Sequence, residues 1–390
     1  MAEQLVTGAE AFMRALIDEG VDTLFGYPGG AIMPVYDALY GHRTELNHIL
    51  VRHEQGAAHA AEGYARVSGR VGVCLVTSGP GATNTITGIA DAMLDSTPIV
   101  VIAGQVGTPL LGSDAFQEID LVDVTQPICK WAYQIRSARD VAWAVSRAFY
   151  IASTGRPGPV VLDFPKNAQN EKVSYEHVVT DFIRSYRPAP EINWEALHHA
   201  AEMINEAKKP LLLVGQGVEL GHAREELREF IEKADIPAGC TLLGLSALPS
   251  NHPLNIGMLG MHGSYAASIK TQECDLLIAV GMRFDDRITG KLSSYALQAK
   301  KIHFDIDPSE INKNVKVDVP VLGDCKETLA AVISLIRKNN HKEWIKSFES
   351  FHKVEVDEVV EPEIHPKDGK IRMGEVVNKV TEMTSNTAVM

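Results

Sequence analysis

Runs of apolar residues alternate with amphipathic stretches through roughly the first 166 positions of the chain. The runs predict strands, and apolar residues that recur every three or four positions predict helices. The predicted strands cover 21–25, 48–51, 71–77, 99–103 and 160–164, and predicted helices cover 83–95 and 140–153. Because the runs carry few polar residues, we expect a parallel sheet with helices on both faces, and 48–51 to be one of its short buried strands.

The first helix has sequence signals at both ends. Thr7 and Glu10 have the spacing of a capping box, in which each side chain binds the backbone N–H of the other residue. Apolar residues then follow at helical spacing as far as Ile17. Gly20 supplies the left-handed residue on which many helices end, so a helix is predicted between Thr7 and Gly20.

The same alternation resumes at Trp194, after a polar connector over 167–190. Here the predicted strands cover 210–214, 236–241, 276–280 and 301–305, and the predicted helices 194–207, 223–234 and 327–338. The fold class predicted from both series is α/β, with two doubly wound parallel-sheet domains at 1–166 and 191–340.

The C-terminal part is predicted to be less compact. A connector rich in Val, Glu, Pro and His is expected over 341–370, and the tail after about Asn340 is expected to be loosely packed. Residues 371–390 hold one amphipathic helix, 372–384, and a short apolar segment, 387–390, that is predicted to begin a strand. Since a strand without a sheet cannot bury its faces, we expect only the start of a third domain here.

Composition and charge exclude several functional classes. With 390 residues, 45% of them apolar and 22% charged, the chain can bury two to three cores. A net charge of −13 without a basic cluster argues against a nucleic-acid partner. The five cysteines lack pair spacing, which favours reduced thiols in a cytoplasmic protein. We find neither a membrane-spanning segment nor a targeting sequence.

One carboxylate stands at a predicted strand-to-helix junction. Glu54 follows the predicted strand 48–51 and precedes apolar residues with helical spacing, including Ala57, Ala61 and Tyr64. A helix start at this edge of a sheet is where open α/β folds bind ligands. The alternative is an acid that only favours the helix dipole. The dipole lowers the pKa of such a group, whereas apolar burial raises it, and the sequence leaves that balance open.

Glycine-rich turns follow several other predicted strands. Residues 26–30 let backbone approach a flat ligand, although an ordinary tight turn would need the same glycines. Residues 78–84 resemble a phosphate cradle at a helix N-terminus, but they match neither a Walker sequence nor a complete Gly-x-Gly-x-x-Gly run, so the signal for phosphate is weak. Gly215 and Gly217 form a partial dinucleotide signature in the second series. Residues 281–287 carry two arginines that suit a pyrophosphate or carboxylate, or else an ion-pair network with their neighbouring aspartates. Asp305 ends another strand, where an acid can accept ribose hydroxyls.

These segments, in this order, resemble the large catalytic subunit of acetolactate synthase (acetohydroxyacid synthase), over essentially all 390 residues. The most diagnostic segments are Phe25-Gly-Tyr-Pro-Gly-Gly30, Arg52-His-Glu-Gln-Gly56, Thr77-Ser-Gly-Pro-Gly-Ala-Thr-Asn84, Asp114-Ala-Phe-Gln-Glu118, Gly155-Arg-Pro-Gly-Pro159, Gly257-Met-Leu-Gly-Met-His-Gly263 and Arg283-Phe-Asp-Asp-Arg287. The glutamate segment is shared by thiamine diphosphate enzymes in general. The Phe-Gln and Arg-Phe-Asp-Asp-Arg segments narrow the resemblance to this family.

The resemblance implies three domains and three cofactors. The first domain would hold the aminopyrimidine of thiamine diphosphate and the middle one FAD, while the third would hold the diphosphate and Mg²⁺. We therefore expect the chain to be truncated before the diphosphate-binding domain, to be inactive as it stands, and to carry no metal ligands of its own. Gly323-Asp324-Cys325 faintly resembles a diphosphate signature but has Cys in third place, so we reject it as a metal site.

The resemblance also assigns roles to residues. Glu54 would bind N1′ of the aminopyrimidine and help remove the C2 proton, after which pyruvate loses CO₂ and joins a second 2-oxo acid. Tyr27, Gly29 and Gly30 would line the ring site. The residues near the substrate entrance would be Phe116, Gln117 and Lys166, and Lys166 could also be an ordinary solvated residue. The positions that match FAD contacts are Arg156, Gly215, Gly217, Thr241, Leu242, Met261, His262, Gly263, Gly281, Arg283, Arg287, Asp305, Ile306 and Asp324.

Partners and alternatives follow from the same resemblance. The substrates would be pyruvate and 2-oxobutyrate in branched-chain amino-acid biosynthesis. A homodimer or higher oligomer through the first domain is expected, with a possible small regulatory subunit. A pyruvate oxidase is an alternative, as is a non-catalytic FAD-binding fragment. A glyoxylate carboligase is disfavoured because that enzyme lacks the glutamate at the position of Glu54.

Overall fold

The computed structural model describes residues 5–388 and divides into two compact units, 1–188 and 189–390. Each unit is an α/β body with its own six-stranded sheet. This confirms the predicted fold class. The observed division after Pro188 lies close to the end of the predicted connector at residue 190.

The first unit contains eight strands. They are β1 (Leu5–Thr7), β2 (Thr23–Gly26), β3 (Asn47–Leu50), β4 (Gly72–Val76), β5 (Ile99–Gln105), β6 (Trp131–Gln134), β7 (Val160–Pro165) and β8 (Lys172–Ser174). Six of them form a parallel sheet in the order β3-β2-β4-β5-β7-β6. The remaining two, β1 and β8, form a small antiparallel ribbon.

Helices cover both faces of this sheet. They are α1 (Gly8–Asp18), α2 (Met33–Gly41), α3 (Glu54–Ser68), α4 (Pro80–Thr83), α5 (Ile86–Leu94), α6 (Leu121–Thr125), α7 (Val141–Ser153) and α8 (Lys166–Asn170). Along β5, Val100 and Ile102 pack with α1, α2 and α7 on one face, whereas Val101 and Ala103 pack with α3 and α5 on the other. The period of two in a strand explains this division between the faces.

The signals of the first helix are confirmed except for one half of the capping box, since the Glu10 carboxylate accepts from Arg14 and contacts His42 rather than the Thr7 N–H. The Thr7 hydroxyl accepts a hydrogen bond from the Glu10 N–H at 3.1 Å. Gly20 has a positive φ of 76° just beyond the end of α1. One local prediction is wrong in its burial. The strand at 48–51 is an exposed edge, with Leu50 63% exposed, because it pairs only with β2. The helix predicted over 83–95 is observed as α5 but begins only at Ile86, after a two-residue break that follows α4.

The start of the predicted connector at 167–190 is part of the first unit. Residues of α8 pack against α1 so closely that a Cβ on Gly8 would lie 2.1 Å from the Ala168 carbonyl oxygen. The strand β8 then pairs with β1, which brings the two ends of this unit together. Only the later part of the predicted connector, beyond Ser174, lacks helices and strands.

The second unit has six strands, all parallel, in the order β11-β10-β9-β12-β13-β14. They are β9 (Pro210–Val214), β10 (Ala238–Cys240), β11 (Asn255–Met258), β12 (Leu276–Val280), β13 (Lys300–Asp305) and β14 (Val319–Leu322). The helices are α9 (Trp194–Glu206), α10 (Gly217–Leu220), α11 (Arg224–Ala234), α12 (Tyr265–Thr271), α13 (Asp286–Thr289), α14 (Cys325–Leu335), α15 (Lys342–Lys346), α16 (Glu349–Glu355), α17 (Glu361–Ile364) and α18 (Met373–Met383), with a π-helix at Val356–Val360.

The connector predicted at 341–370 is largely helical, and its first part joins the core. Trp344 is buried with Phe348 in the cluster on one face of the second sheet. Its indole N–H donates to the Pro210 carbonyl at 2.8 Å. The loose packing predicted beyond Asn340 is therefore wrong for this segment. The predicted strand at 387–390 extends outside the described residues, which end at 388.

Candidate functional site

The loops after β2, β3 and β4 meet at one edge of the first sheet. The strand order places β2 between β3 and β4, so the chain reverses direction of travel across the sheet at this point. Crevices at such reversals, outside the carboxyl ends of the strands, are the usual ligand sites of open α/β folds. Glu54 and both glycine-rich turns of this unit lie here.

Glu54 is the first residue of α3, as predicted, and only 8% of it is exposed. Its Oε2 accepts a hydrogen bond of 2.9 Å from the side-chain amide of Asn84. Asn84 lies between α4 and α5, so the break in the predicted helix is also what turns this amide toward the carboxylate. Burial and the nearby charge of Glu54 raise the pKa of the Cys74 thiol, which stays protonated.

Glycines keep the space beside this carboxylate free of side chains. A Cβ on Gly81 would lie 2.7 Å from Thr77 Cγ2 and 3.4 Å from Glu54 Oε1. A Cβ on Gly29 would lie 2.5 Å from the same Thr77 methyl group. The Thr77 hydroxyl in turn accepts from the Ala31 N–H at 3.3 Å. The two glycine turns therefore pack against each other around Thr77, next to Glu54.

The other residues predicted for the ring site and the substrate entrance lie at the same edge. Lys166 donates to the Gly30 carbonyl at 3.0 Å, which joins the end of β7 to the turn after β2. Gln117 packs against Gly79, where a Cβ would lie 2.9 Å from the Gln117 Cα. Phe116 is 85% exposed and Tyr27 is partly exposed, so both rings face solvent.

A self-contained loop carries Phe116 and Gln117. The Glu118 carboxylate accepts hydrogen bonds from the N–H groups of Gly112 and Ala115, the latter at 3.2 Å. These backbone bonds, that of Gly112 first, lower the pKa of Glu118. Because Gln117 itself has a positive φ of 57°, the loop needs this anchoring to hold it against Gly79.

Buried polar groups fasten the base of this loop. Gln105, at the end of β5, donates to the Ile119 carbonyl at 2.8 Å. The Asp163 carboxylate accepts from Gln134 at 2.8 Å and from Gln105 at 3.4 Å, while its Oδ1 is buried without a hydrogen-bond partner within residues 5–388. Burial raises the pKa of Asp163 to about 6, with the two amide donors opposing that shift.

The fourteen positions matched to FAD divide between the units, and the thirteen after residue 200 share one location. Each follows one of the six strands of the second sheet, at its carboxyl end. Gly215 and Gly217 follow β9; Thr241 and Leu242 follow β10; Met261, His262 and Gly263 follow β11; Gly281, Arg283 and Arg287 follow β12; Asp305 and Ile306 end β13; and Asp324 follows β14. Arg156 lies in the first unit, where its Nε donates to the Ser96 hydroxyl at 2.9 Å.

The turns after β9 and β12 form a bare backbone cradle at the reversal point of this sheet. The Gly217 N–H donates to the Gly281 carbonyl at 2.8 Å. A Cβ on Gly217 would lie 2.6 Å from the Gly281 Cα, and one on Gly215 would lie 2.1 Å from the Gly281 carbonyl oxygen. Gly281 also has a positive φ of 58°. Side chains are excluded here, which suits the close approach of a dinucleotide.

Two arginines flank this cradle with weak protein partners. Arg283 lies 3.7 Å from Asp285, and Arg287, with 70% of its side chain exposed, lies 3.8 Å from Asp286. Met261 and Arg287 meet through the Met261 N–H, which donates to the Arg287 carbonyl at 2.7 Å. Leu242 and Met261 are exposed apolar residues at the same edge.

Three of the predicted polar residues accept hydrogen bonds from nearby backbone N–H groups. The Thr241 hydroxyl accepts from the Gly244 N–H at 3.1 Å. Asp305 accepts from the Asp307 N–H at 2.8 Å. Asp324 is the N-cap of α14, accepting from the N–H groups of Lys326 and Glu327 at 2.9 and 3.2 Å. This capping explains the Asp324 segment without a metal ion.

Comparison with known proteins identifies two domains. Residues 6–124 match the thiamine pyrophosphate enzyme N-terminal TPP binding domain, and residues 197–332 match the central domain of the same enzymes. The large subunit of acetolactate synthase from Buchnera aphidicola is 42% identical over 99% of this chain and 67% of its own length.

The chain belongs to the acetolactate synthase large-subunit family.

Other members of the family support this assignment. An acetolactate synthase from Mycobacterium bovis is 49% identical over 87% of this chain and 55% of its own length. A probable acetolactate synthase large subunit from Methanocaldococcus jannaschii is 44% identical over 98% of this chain. The chain thus spans between about half and two thirds of the length of the curated relatives it matches.

The structure adds side chains to the candidate site that the sequence patterns did not single out. Asn84 and Thr77 belong to the glycine-rich segment 77–84, but a linear pattern does not show that Asn84 turns back to Glu54. Glu118 ends the segment 114–118, and the sequence alone assigns it no role. All five cysteines are free, and four of them are buried. Within residues 5–388, none of the helices has the length and apolar character needed to cross a membrane.

Proposed function

We propose that this chain provides the aminopyrimidine-binding and FAD-binding parts of an acetolactate synthase. The reaction joins two pyruvates, or pyruvate and 2-oxobutyrate, with loss of CO₂, in the synthesis of valine, leucine and isoleucine. The observation that carries the proposal is a buried Glu54 at a helix start, whose Oε1 lies 3.4 Å from where a Cβ on Gly81 would be, so that a glycine keeps the space beside it open.

Glu54 is the group that holds and moves a proton in this proposal. Thiamine diphosphate supplies the carbanion-stabilising chemistry when bound, as cofactors of this kind do. Tyr27, Gly29 and Gly30 line the ring, and Asn84 holds Glu54 Oε2 at 2.9 Å, so the carboxylate keeps one orientation. Its Oε1 then faces the space beside Gly81, from which it can give a proton to the ring and take it back.

The substrate side of this site is formed by Lys166 with Phe116 and Gln117. Lys166 offers a positive charge to an anionic 2-oxo acid and is already fixed against Gly30. The loop anchored by Glu118 presents the exposed ring of Phe116. We assign neither Mg²⁺ nor the cofactor's diphosphate to any residue named here.

FAD is proposed to bind along the carboxyl edge of the second sheet. The glycine cradle of Gly215, Gly217 and Gly281 admits backbone contact with the dinucleotide. Arg283 and Arg287 provide charge-assisted donors for its pyrophosphate. Since the joining of two 2-oxo acids involves no net oxidation, FAD has a structural role here.

Assembly and location are part of the same proposal. We expect a homodimer or larger oligomer through the first unit, a small regulatory subunit as partner and a cytoplasmic location. Exposed apolar residues at the β3 edge, Ile49 and Leu50, are compatible with a second copy covering it.

The test joins this chain to the remaining C-terminal part of the Buchnera relative. With thiamine diphosphate, Mg²⁺ and FAD, the fusion is expected to form acetolactate from pyruvate. Hydrogen peroxide or acetyl phosphate as the product would instead identify a pyruvate oxidase. FAD binding by the fusion without any turnover of pyruvate would leave only a flavin-binding function and would refute the proposal.

A further inference from the structure

A histidine and two carboxylates come together where α3 packs against α5 in the first unit. His59 Nδ1 lies 2.7 Å from Glu62 Oε2 and 3.7 Å from Asp91 Oδ2. One potential ligand atom from each of the three residues lies within 4.8 Å of the other two. The cluster has no part in the function proposed above.

The two helices hold these side chains on a rigid base. His59 and Glu62 are one turn apart on α3, which places them on the same face. Asp91 comes from α5, and the helices approach so closely that a Cβ on Gly88 would lie 2.5 Å from the Ala58 Cβ. Ligands on packed helices keep their spacing better than ligands on loops.

One carboxylate oxygen of Glu62, in this cluster, lacks a hydrogen-bond partner among the described residues. Its side chain is 5% exposed, and its Oε1 is buried without a hydrogen-bond partner among the described residues. The nearby Arg66 pairs with Asp95 at 2.7 Å rather than with Glu62. A buried carboxylate next to a second carboxylate is stabilised by a cation.

We propose that His59, Glu62 and Asp91 bind a divalent transition-metal ion such as Zn²⁺. Zinc accepts exactly this mixture of imidazole and carboxylate donors, with bonds of about 2.0–2.2 Å. Tetrahedral ligands at that distance are about 3.4 Å apart, and the observed 2.7 and 3.7 Å contacts lie on either side of this value. Nδ1 of His59 binds the ion when the ring is neutral and carries its proton on Nε2.

The proposed metal site leaves its fourth position open to water, and a bound ion would link two helices. The side chains of His59 and Asp91 are 39% and 51% exposed, so water reaches the fourth position. A bound ion would tie α3, the helix that begins with Glu54, to α5. The ion would stabilise the folded first unit according to its affinity and concentration.

The experiment uses the purified 390-residue chain without a tag, stripped with chelator and dialysed against Mg²⁺. Zn²⁺ is added and binding is measured by calorimetry and by metal content after gel filtration. We expect one Zn²⁺ per chain, retained in excess Mg²⁺, and a higher melting temperature with Zn²⁺. Asp91→Asn and His59→Ala alter partly exposed side chains, so both variants are expected to fold, and each is expected to weaken Zn²⁺ binding by at least about tenfold.

Asp95→Asn and His198→Ala are the matched controls, since neither residue belongs to the cluster. Both are expected to bind Zn²⁺ like the unaltered chain. The proposal is overturned if the unaltered chain retains no Zn²⁺, or if His59→Ala and Asp91→Asn retain it as tightly as the controls. Glu62→Gln, checked for folding by circular dichroism, is expected to lose the Zn²⁺-dependent rise in melting temperature.

Discussion

At the scale of single residues, the Arg287 side chain makes only weak contacts within the protein. Its guanidinium is largely exposed and lies 3.8 Å from Asp286, too far for a strong bond. Arg287→Ala is therefore expected to weaken FAD by about 1–3 kcal/mol, the value of a charge-assisted bond, without lowering the stability of the apoprotein. The measurement is a flavin fluorescence titration, with the exposed Lys291→Ala as control. Equal affinities in the two variants would remove Arg287 from the site.

Asp163 gives the first unit a dependence on pH whose sign follows from its environment. Burial raises the folded pKa of this carboxyl to about 6, above the unfolded value. The folded state therefore binds the proton more tightly, so stability from this group is present at low pH and is lost as pH rises from about 4 to about 6.

Asp163→Asn is expected to remove that dependence. Between about pH 5 and about pH 7.5, the variant should gain on the order of 1 kcal/mol of unfolding free energy relative to the unaltered chain. Urea unfolding of both proteins at the two pH values measures this gain. A difference between them that stays constant with pH would show that Asp163 ionises normally.

At the scale of elements, the turns after β9 and β12 in the second unit require glycines, because a side chain there would clash with backbone. A Cβ on Gly217 would lie 2.6 Å from the Gly281 Cα, which belongs to backbone and cannot rotate away. Gly217→Ala is expected to destabilise the protein by about 1–3 kcal/mol and to weaken FAD as the cradle shifts. Gly63→Ala on α3 is the control, because nothing lies within 4 Å of its Cβ and alanine favours helix by about 0.5–1 kcal/mol. Thermal melts of both variants should move in opposite directions.

The elements also show which patterns could be predicted from sequence. The strand predicted at 276–280 matches β12 throughout, since an unbroken apolar run of that length fits a strand buried on both faces. The apolar run at 48–51 gave the correct strand but the wrong burial, because a run does not show whether a second neighbour will pair with it. The break after α4 was missed because it depends on Asn84 reaching Glu54, a contact between residues thirty positions apart.

At the scale of the whole molecule, Trp344 anchors the segment after Asn340 in the core of the second unit. Trp344 is buried against Phe348, with the Lys270 ammonium 5.1 Å from its ring. Trp344→Ala is expected to lower the free energy of unfolding by about 3–5 kcal/mol, through lost burial and a lost indole bond. Trp194→Ala, at a mostly exposed position, should cost far less. Similar denaturant midpoints for the two variants would mean that this segment is not part of the cooperative core.

The sequence was least informative about this segment because its apolar residues, Trp344, Ile345, Phe348 and Phe351, follow helical spacing over only two turns and are surrounded by polar residues. The candidate site was the opposite case. All six strand ends of the second sheet could be matched to family positions, because parallel strands must present their carboxyl ends at one edge. What linear patterns could not supply were the pairings across the turns, such as Lys166 with Gly30 and Gln117 with Gly79.

The central claim is that Glu54 exchanges a proton with the aminopyrimidine ring and so helps to remove the C2 proton of thiamine diphosphate. The fusion of this chain with the C-terminal part of the Buchnera relative allows a direct measurement, the exchange of the C2 proton of bound thiamine diphosphate. Glu54→Gln keeps the shape and the contact with Asn84, so cofactor binding is expected to persist while exchange slows about 10²–10⁴-fold. The exposed Glu45→Gln should exchange like the unaltered fusion. If Glu54→Gln also exchanges at the unaltered rate, Glu54 is only the first acid of a helix and the account is contradicted.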